Sequence, residues 1–278
     1  MRDTSVAERT ESGFGAMLRE WRRRRGASQL ELALRSGVSQ RHVSFLESGR
    51  ARPSREMVGQ LAGALDVPLR QQNTLLMAAG FAPVYRERDL GAPELGVVRQ
   101  ALNHMLRQQE PYPAVVVDRL WNLLDANEPA NRLTAFLLDG VPGAAQQTGR
   151  PNLLRSILAR DLLRTRIDNW EEVARHLVRT TYAEILADGG DEDALRFIDD
   201  VMALPDVPRA WRHQRFDETP TPVLTVDFRK GDTRLRLFTT IATLGTPQDV
   251  TLQEVRIECF FPADDRSDAL FKSLAAKR

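Results

Sequence analysis

The sequence predicts two domains in 278 residues: an all-α head of five short helices, then an α+β body built on an antiparallel sheet with helices on one side. Three observations predict it. Up to Gly80 the apolar residues recur at helical spacing between glycine and serine punctuation. Beyond residue 220 the chain turns to alternating strand-like runs, TPVLTVDF, TRLRLFTTIATLG and LQEVRIECFF. The charge is also split: residues 1–88 hold 15 Lys+Arg against 9 Asp+Glu, residues 89–278 hold 24 against 29, so the formal net charge of +1 conceals a basic head and a mildly acidic body.

The head is justified helix by helix. The polar segment MRDTSVAERTESG reads as a flexible arm over 1–13, and the helical head as 14–80. Phe14, Leu18 and Trp21 fall on one face of a first helix, which Gly26 ends. Ser28 with Glu31 three positions on is a capping-box pattern for a second helix, about Gln29 to Arg35, that buries Leu32 and Ala33. Gly37 suits the left-handed position at its end, and Ser39 caps a third helix, about Gln40 to Ser48, anchored by Val43 and Leu46. Met57, Val58, Leu61 and Leu65 mark a fourth helix, and Pro68 opens a fifth that runs to Ala79. FAPVYRERDLGAP, residues 81–93, is the expected linker, with aromatics suited to packing on one domain.

The body, 94–278, opens with a helix to about Gln109. PYPAVVVDRLWNLLDAN then reads as two short strands around a turn at Asp118–Arg119, and Asn127 caps a helix with Pro129 in its first turn. Two or three helices fill Asn152 to Leu204 before the three final strands. The Asp191–Glu192–Asp193 run reads as a helix N-terminus, and Asp264 and Asp265 as a turn or helix cap.

Composition narrows the function classes. A single cysteine, Cys259, excludes an internal disulfide and fits a reducing compartment. No apolar run approaches bilayer length and no signal-peptide core is present, so the expected location is cytoplasmic, with no membrane partner. The histidines His42, His104, His176 and His213 are scattered, without metal-binding spacing, and neither a phosphate loop nor a nucleophile elbow is present. No catalytic set and no metal site emerges, and the expectation is not an enzyme.

The chemistry concentrates in GVSQRHVSFLESGRARPS, residues 37–54. Two helices joined by a glycine turn, the second mostly polar, form a helix-turn-helix pattern. A helix that reads a major groove must rest on its own domain by a narrow stripe and expose the rest. Val43 and Leu46 supply the stripe, and Gln40, Arg41 and Ser44 the exposed N-terminal face. Gln suits bidentate pairing with adenine, and Arg with guanine. Phe45 either contacts a thymine methyl or packs against the fourth helix. Gln29 and Ser39, at helix N-termini, and Arg50, Arg52 and Arg55, beyond the reading helix, are the expected phosphate contacts. Arg22 and Glu47 are expected to form a structural ion pair between the first and third helices.

SQxxLAxxxGVSxxxVSxLExGRxxPS, from Ser28 to Ser54, resembles the phage-repressor-like helix-turn-helix domains of the Xre or Cro/C1 type. The resemblance implies DNA contact through Gln29, Ser39, Gln40, Arg41 and Ser44, and the Arg22–Glu47 pair. Some such domains bind protein instead, so an interaction or antitoxin-type module holding a partner is the alternative. RHVSFLESGRARPSREMV, LDVPLRQQNTLLMAAGFAPVYRE, PYPAVVVDRLWNLLDAN and LFTTIATLGTPQDVTLQEVRIECFFPAD together resemble the MmyB-like bacterial regulators. That resemblance implies a repressor-type head and a PAS-like ligand-binding body, with a fatty-acid-like or other small apolar ligand. Where family members carry a His-Pro-x-Gly-like element, this chain has Ala159-Arg160-Asp161-Leu162. The body's aromatics Trp121, Phe136, Trp170, Tyr182, Phe238 and Phe260 are the candidate pocket residues, ordinary core being the commoner role for each. A homodimer is expected.

Overall fold

The computed structural model describes residues 5–141, 143–144, 149–212 and 223–275. His213 lies outside them, as does the start of the expected arm, residues 1–4. The chain divides into two compact units.

The first unit comprises Met1–Arg88 with the segments Ala187–Gly189 and Thr246–Gln253. Its helices are α1 (Ser5–Arg24), α2 (Gln29–Ser36), α3 (Gln40–Glu47), α4 (Arg55–Ala64) and α5 (Leu69–Ala78). α1 starts well before Phe14, so the segment expected as an arm is helical from Ser5. Ala7, Glu8, Arg9 and Glu11 are all helix-tolerant and outweigh the polarity that suggested an arm. Ser28 makes both halves of its capping box with Glu31, and Gly37 closes α2 at φ 68°. The core joins Phe14, Leu18, Trp21, Leu32, Val43, Leu46 and Leu61. Burying such side chains stabilises by about 1.5–3 kcal/mol each before entropy is counted. The compact unit runs past Gly80. Asn73 of α5 accepts from the Val84 and Tyr85 amides, both at 3.0 Å, and donates to the Tyr85 carbonyl at 2.7 Å. The first part of the expected linker is thereby tied to its helix.

The second unit is a five-stranded antiparallel sheet with strands β1 (Ala114–Val117), β2 (Leu123–Ala126), β3 (Thr225–Lys230), β4 (Thr233–Thr243) and β5 (Arg256–Pro262). Their order is β2-β1-β5-β4-β3. Helices cover both faces, not one. α6 (Gly96–Gln108) packs Leu102 and Leu106 on Ala114, Val116 and Ile257. The opposite face, with Val115 and Val117, meets Leu154, Leu158, Ala174, Val178 and Ile198. These come from α8 (Leu153–Leu158), α9 (Trp170–Ala187) and α10 (Glu192–Met202). α7 (Glu128–Leu138) adds Leu137 to a further core with Phe228, Leu235 and Leu237. β1 is apolar on both faces, as its unbroken AVVV requires.

Asn127 ties three elements. Its side chain accepts from the Ala130 amide, capping α7, and from the Ala114 amide, while donating to the Leu106 and Tyr112 carbonyls. Asp191 caps α10, and Asp264 accepts from the Ser267 amide at the start of α12 (Asp265–Ala275). One short helix was not legible as such: α11 (Val250–Glu254) occupies residues that alternation assigned to a strand from Leu252. Asp249 accepts from the Thr251 amide and nucleates the turn, so β5 begins only at Arg256.

Candidate DNA interface and ligand cavity

α3 is held from behind. Val43 and Leu46 are fully buried, and the Glu47 carboxylate, 1% exposed, points back toward α1. Arg22 grips it as a fork, Nε to Oε1 at 2.5 Å and Nη2 to Oε2 at 2.9 Å. Gln29 donates to Oε2 at 2.9 Å, and Arg19 donates to the Glu47 carbonyl at 2.9 Å. Burial alone would push the Glu47 carboxyl up, but the hydrogen bonds from Arg22 and Gln29 and the nearby guanidinium charges hold it below the ordinary glutamate range. α1 also comes within backbone distance of α3: a Cβ on Gly15 would lie 2.5 Å from the Leu46 carbonyl oxygen. Glycine is needed there for the close approach.

The opposite face of α3 points outward. Ser39, Gln40 and Arg41 are exposed, and Ser44 and Phe45 are half-buried. The Ser39 hydroxyl caps the His42 amide at 3.2 Å. The Arg41 guanidinium lies 5.2 Å from the centre of the Phe45 ring, which restrains it next to Gln40. Arg50 and Arg52 are exposed on the segment after α3, and Arg55 is exposed at the start of α4, over the Phe81 ring. Gln29, expected at a phosphate, also turns its amide nitrogen onto Glu47. In the arginine run, Arg24 pairs with Glu20, and Arg25 donates to the Leu65 and Asp66 carbonyls, satisfying the end of α4. Arg19, Gln29 and Arg25 thus make structural contacts that the sequence did not reveal, because their partners lie 18 to 41 residues away along the chain.

In the second unit a cavity of about 1330 Å³ opens between α9 and one face of the sheet. That exceeds the roughly 300–1,000 Å³ typical of small-molecule sites. Val115, Trp121, Leu137, Val173, Leu177 and Phe260 give it a mainly apolar wall. Trp121 is 5% exposed and adopts a positive φ of 65°, and its ring nitrogen donates to Thr181 at 2.8 Å. Asp118 fixes that backbone by accepting from the Leu120 and Asn122 amides.

Of the six candidate aromatics, Trp121 and Phe260 line this cavity. Trp170 donates to the Ile157 carbonyl, meets Trp211 in a tilted ring contact and lies beneath Arg164, as a core residue. Tyr182 packs under Arg212. Phe238 stacks on Phe261 on the other sheet face, because its position in β4 is even where the cavity-facing Thr239 and Ile241 are odd. Phe136 borders a separate cavity of about 210 Å³. The cavity's one deeply buried acid, Glu258, was missed, since a glutamate in an alternating strand reads as solvent-facing. Cys259 is half-buried, and burial pushes its thiol up, away from nucleophilic character. Ala159 and Leu162 are buried, and Arg160 pairs with Asp206.

Among the described residues, no cluster of three or more His, Cys, Asp or Glu side chains is placed to hold a metal, and no helix is long and apolar enough to cross a membrane.

A helix-turn-helix unit with an outward polar face, joined in one chain to a second unit enclosing a large cavity, defines the class: a DNA-binding transcription regulator with a ligand-binding domain. Residues 18–72 match the helix-turn-helix family, and residues 98–274 match the family described as the MmyB-like transcription regulator ligand binding domain. The chain belongs to the MmyB-like regulators. Both matched families are regulatory, not enzymatic. A search of curated proteins found no match. Among solved structures, one described as an RNA-binding light-oxygen-voltage receptor aligns over 99% of this chain and 69% of its own, at 14% identity and a TM-score of 0.27. So low a score supports no inference about fold.

Proposed function

We propose that this regulator is a sequence-specific repressor, working as a homodimer, whose grip on DNA is set by a small apolar ligand in the cavity beneath α9. The observation that carries the DNA half is the division of α3: one face clamped by Glu47, Val43 and Leu46, the other presenting Gln40, Arg41 and Ser44. Those three residues read base edges. Ser39 and the arginines Arg50, Arg52 and Arg55 hold phosphates. A dimer must set its two copies of α3 about 34 Å apart to reach successive major grooves. A ligand alters that spacing only by binding one arrangement more tightly than the other. The apolar wall around Trp121 and Phe260 supports the ligand half.

Selection of bound duplexes from a random library tests the DNA half. A repressor of this design enriches paired half-sites one helical turn apart, with affinity falling steeply as salt rises. An unenriched library, with salt-insensitive binding, rules it out and favours the partner-holding module. Titrating the selected site with and without a medium-chain amphiphile tests the ligand half; unchanged DNA affinity despite a saturated cavity rules out gating.

A further inference from the structure

Two stretches of chain leave the second unit and return to it. α9 walls the cavity with Leu177 and Glu184, and the residues at and just after its end, Ala187–Gly189, belong to the first unit. β4 walls the cavity with Thr239 and Ile241. The chain beyond it, Thr246–Gln253, is again part of the first unit, before β5 brings Phe260 back to the cavity.

Within the first unit both stretches are fastened by specific contacts. Pro68 offers the first turn of α5 no side-chain cap, and Gln253 supplies one by accepting from the Leu69 amide at 2.7 Å. Arg88 meets the Asp249 carboxylate, itself buried, at 2.7 Å. The Val250 amide donates to the Arg86 carbonyl at 2.9 Å, and the Thr251 hydroxyl to the Arg88 carbonyl at 2.7 Å. Gly189 lies so close to α1 and α5 that an added Cβ would be 2.9 Å from the Trp21 ring and 3.0 Å from the Gln71 side chain. Trp21 adjoins Arg22, whose fork holds Glu47 of α3.

The two returns to the second unit share one residue. Arg119, in the β1–β2 turn, pairs with Asp191 just after the first stretch and with Glu254, at 3.4 Å, just after the second. All three side chains are half-buried, where salt screens an ion pair little. Two residues on, Trp121 lines the cavity with its backbone at a φ of 65°. A non-glycine residue persists there only when its surroundings over-determine it. An occupant that displaces the ring also bears on the turn that carries Arg119.

We propose that Arg119 is the positioning residue that couples the cavity to the reading head: by holding Asp191 and Glu254 together, it makes both excursions into the first unit follow the state of the cavity. This rests on the reading that the cavity is the ligand site and α3 the DNA reader.

The test uses the full chain, its Arg119→Met variant and decanoate as the probe. Without probe, the variant should exchange the Leu69 and Val250 amides roughly five- to tenfold faster, although both lie in the first unit. Wild-type protection of the β1 amides shows that its sheet is intact. With saturating decanoate, the wild type should change its affinity for the selected duplex by roughly fivefold or more, and the variant by less than about twofold. A merely structural clip leaves that response unaltered. If Arg119→Met also loosens β1, Glu254→Gln, which removes one arm only, decides by the same measures. Unchanged exchange at Leu69 and Val250, or a variant whose DNA affinity answers decanoate as fully as the wild type, overturns the proposal and leaves the cavity and α3 readings in place. Decanoate that protects no amide around the cavity overturns the ligand reading, and decanoate that binds the wild type without changing its DNA affinity overturns gating; the proposal falls with either.

Discussion

Removing the Glu47 carboxylate should destabilise the head as strongly as truncating one of its buried apolar anchors. In Glu47→Ala, Arg22 loses both arms of its fork and Gln29 loses its acceptor, three charge-assisted bonds in all. At about 1.5–3 kcal/mol each the simple sum overshoots, because burying the carboxylate already costs energy in the native state. The better guide is a buried pair broken on one side, about 3–5 kcal/mol. Arg22 keeps its bond to the Ala27 carbonyl at 2.9 Å and remains 13% exposed, so the lower end applies, about 3 kcal/mol. Amide hydrogen exchange across α1 and α3 measures it, separating the first unit from the second. The double variant Arg22→Met with Glu47→Leu should recover most of the loss and restore DNA binding, since both charges leave together. A Glu47→Ala cost below about 1 kcal/mol, on a scale where that is the upper range of an exposed pair, refutes the brace. A stable double variant that fails to bind DNA refutes its purely structural role. The sign with pH follows: the Glu47 carboxyl is held below its ordinary value of 4.5, so its stabilisation is complete above that value and lost as the pH falls through the folded-state value.

Four further outcomes follow from the same contacts. Gly15→Ala should cost about 1–3 kcal/mol in melting experiments despite alanine's better helix propensity, because its methyl would meet the Leu46 and Glu47 carbonyls at 2.5 and 2.9 Å. Arg41→Ala should flatten sequence preference by about 1–3 kcal/mol in competitive binding if it reads a guanine; equal loss on every sequence would make it a phosphate contact. Asn127→Ala strips the α7 cap and leaves the Leu106 and Tyr112 carbonyls unserved, for a loss of about 2–4 kcal/mol seen in denaturant titration. Glu258 is raised from 4.5 to about 7, so the folded state holds its proton longer; stability falls as pH rises through about 7, by about 3 kcal/mol in all, and Glu258→Gln should remove that slope. Thr239, Arg256 and, from α9, Arg175, His176, Arg179 and Glu184 share that environment and set the background of the titration.

The head was legible because its signals are local. Ser28 and Glu31 cap α2 within one turn of each other, Gly37 and Ser39 both lie in the turn to α3, and the Val43–Leu46 stripe needs only helical spacing. The Arg22–Glu47 pair was within reach because each residue adjoins a buried anchor, Trp21 and Leu46. The bond from Gln29 to Glu47 was not legible because two jobs, phosphate contact and brace, suit the same side chain at the same helix start. In the body, the strands could be read but their register could not. Phe238 and Phe260 look alike in sequence, yet only register puts one against Phe261 and the other in the cavity. Glu258 was hidden for the same reason: alternation tells which residues share a face, not which face is covered. The strand order places β5 at the centre of the sheet, and α6 covers its second face at Ile257.

The two sides of α3 carry separate instructions. Val43, Leu46 and Glu47 address the fold, and Gln40, Arg41 and Ser44 address solvent. Because Gln40 and Arg41 are exposed while Val43, Leu46 and Glu47 are buried, these outward residues can drift or be rewritten one position at a time without disturbing the scaffold beneath. On the proposed reading of α3, a gene duplicate of this chain acquires a new operator through a handful of substitutions while inheriting its second unit unchanged, and an engineer can graft a chosen operator onto the same body by the same route.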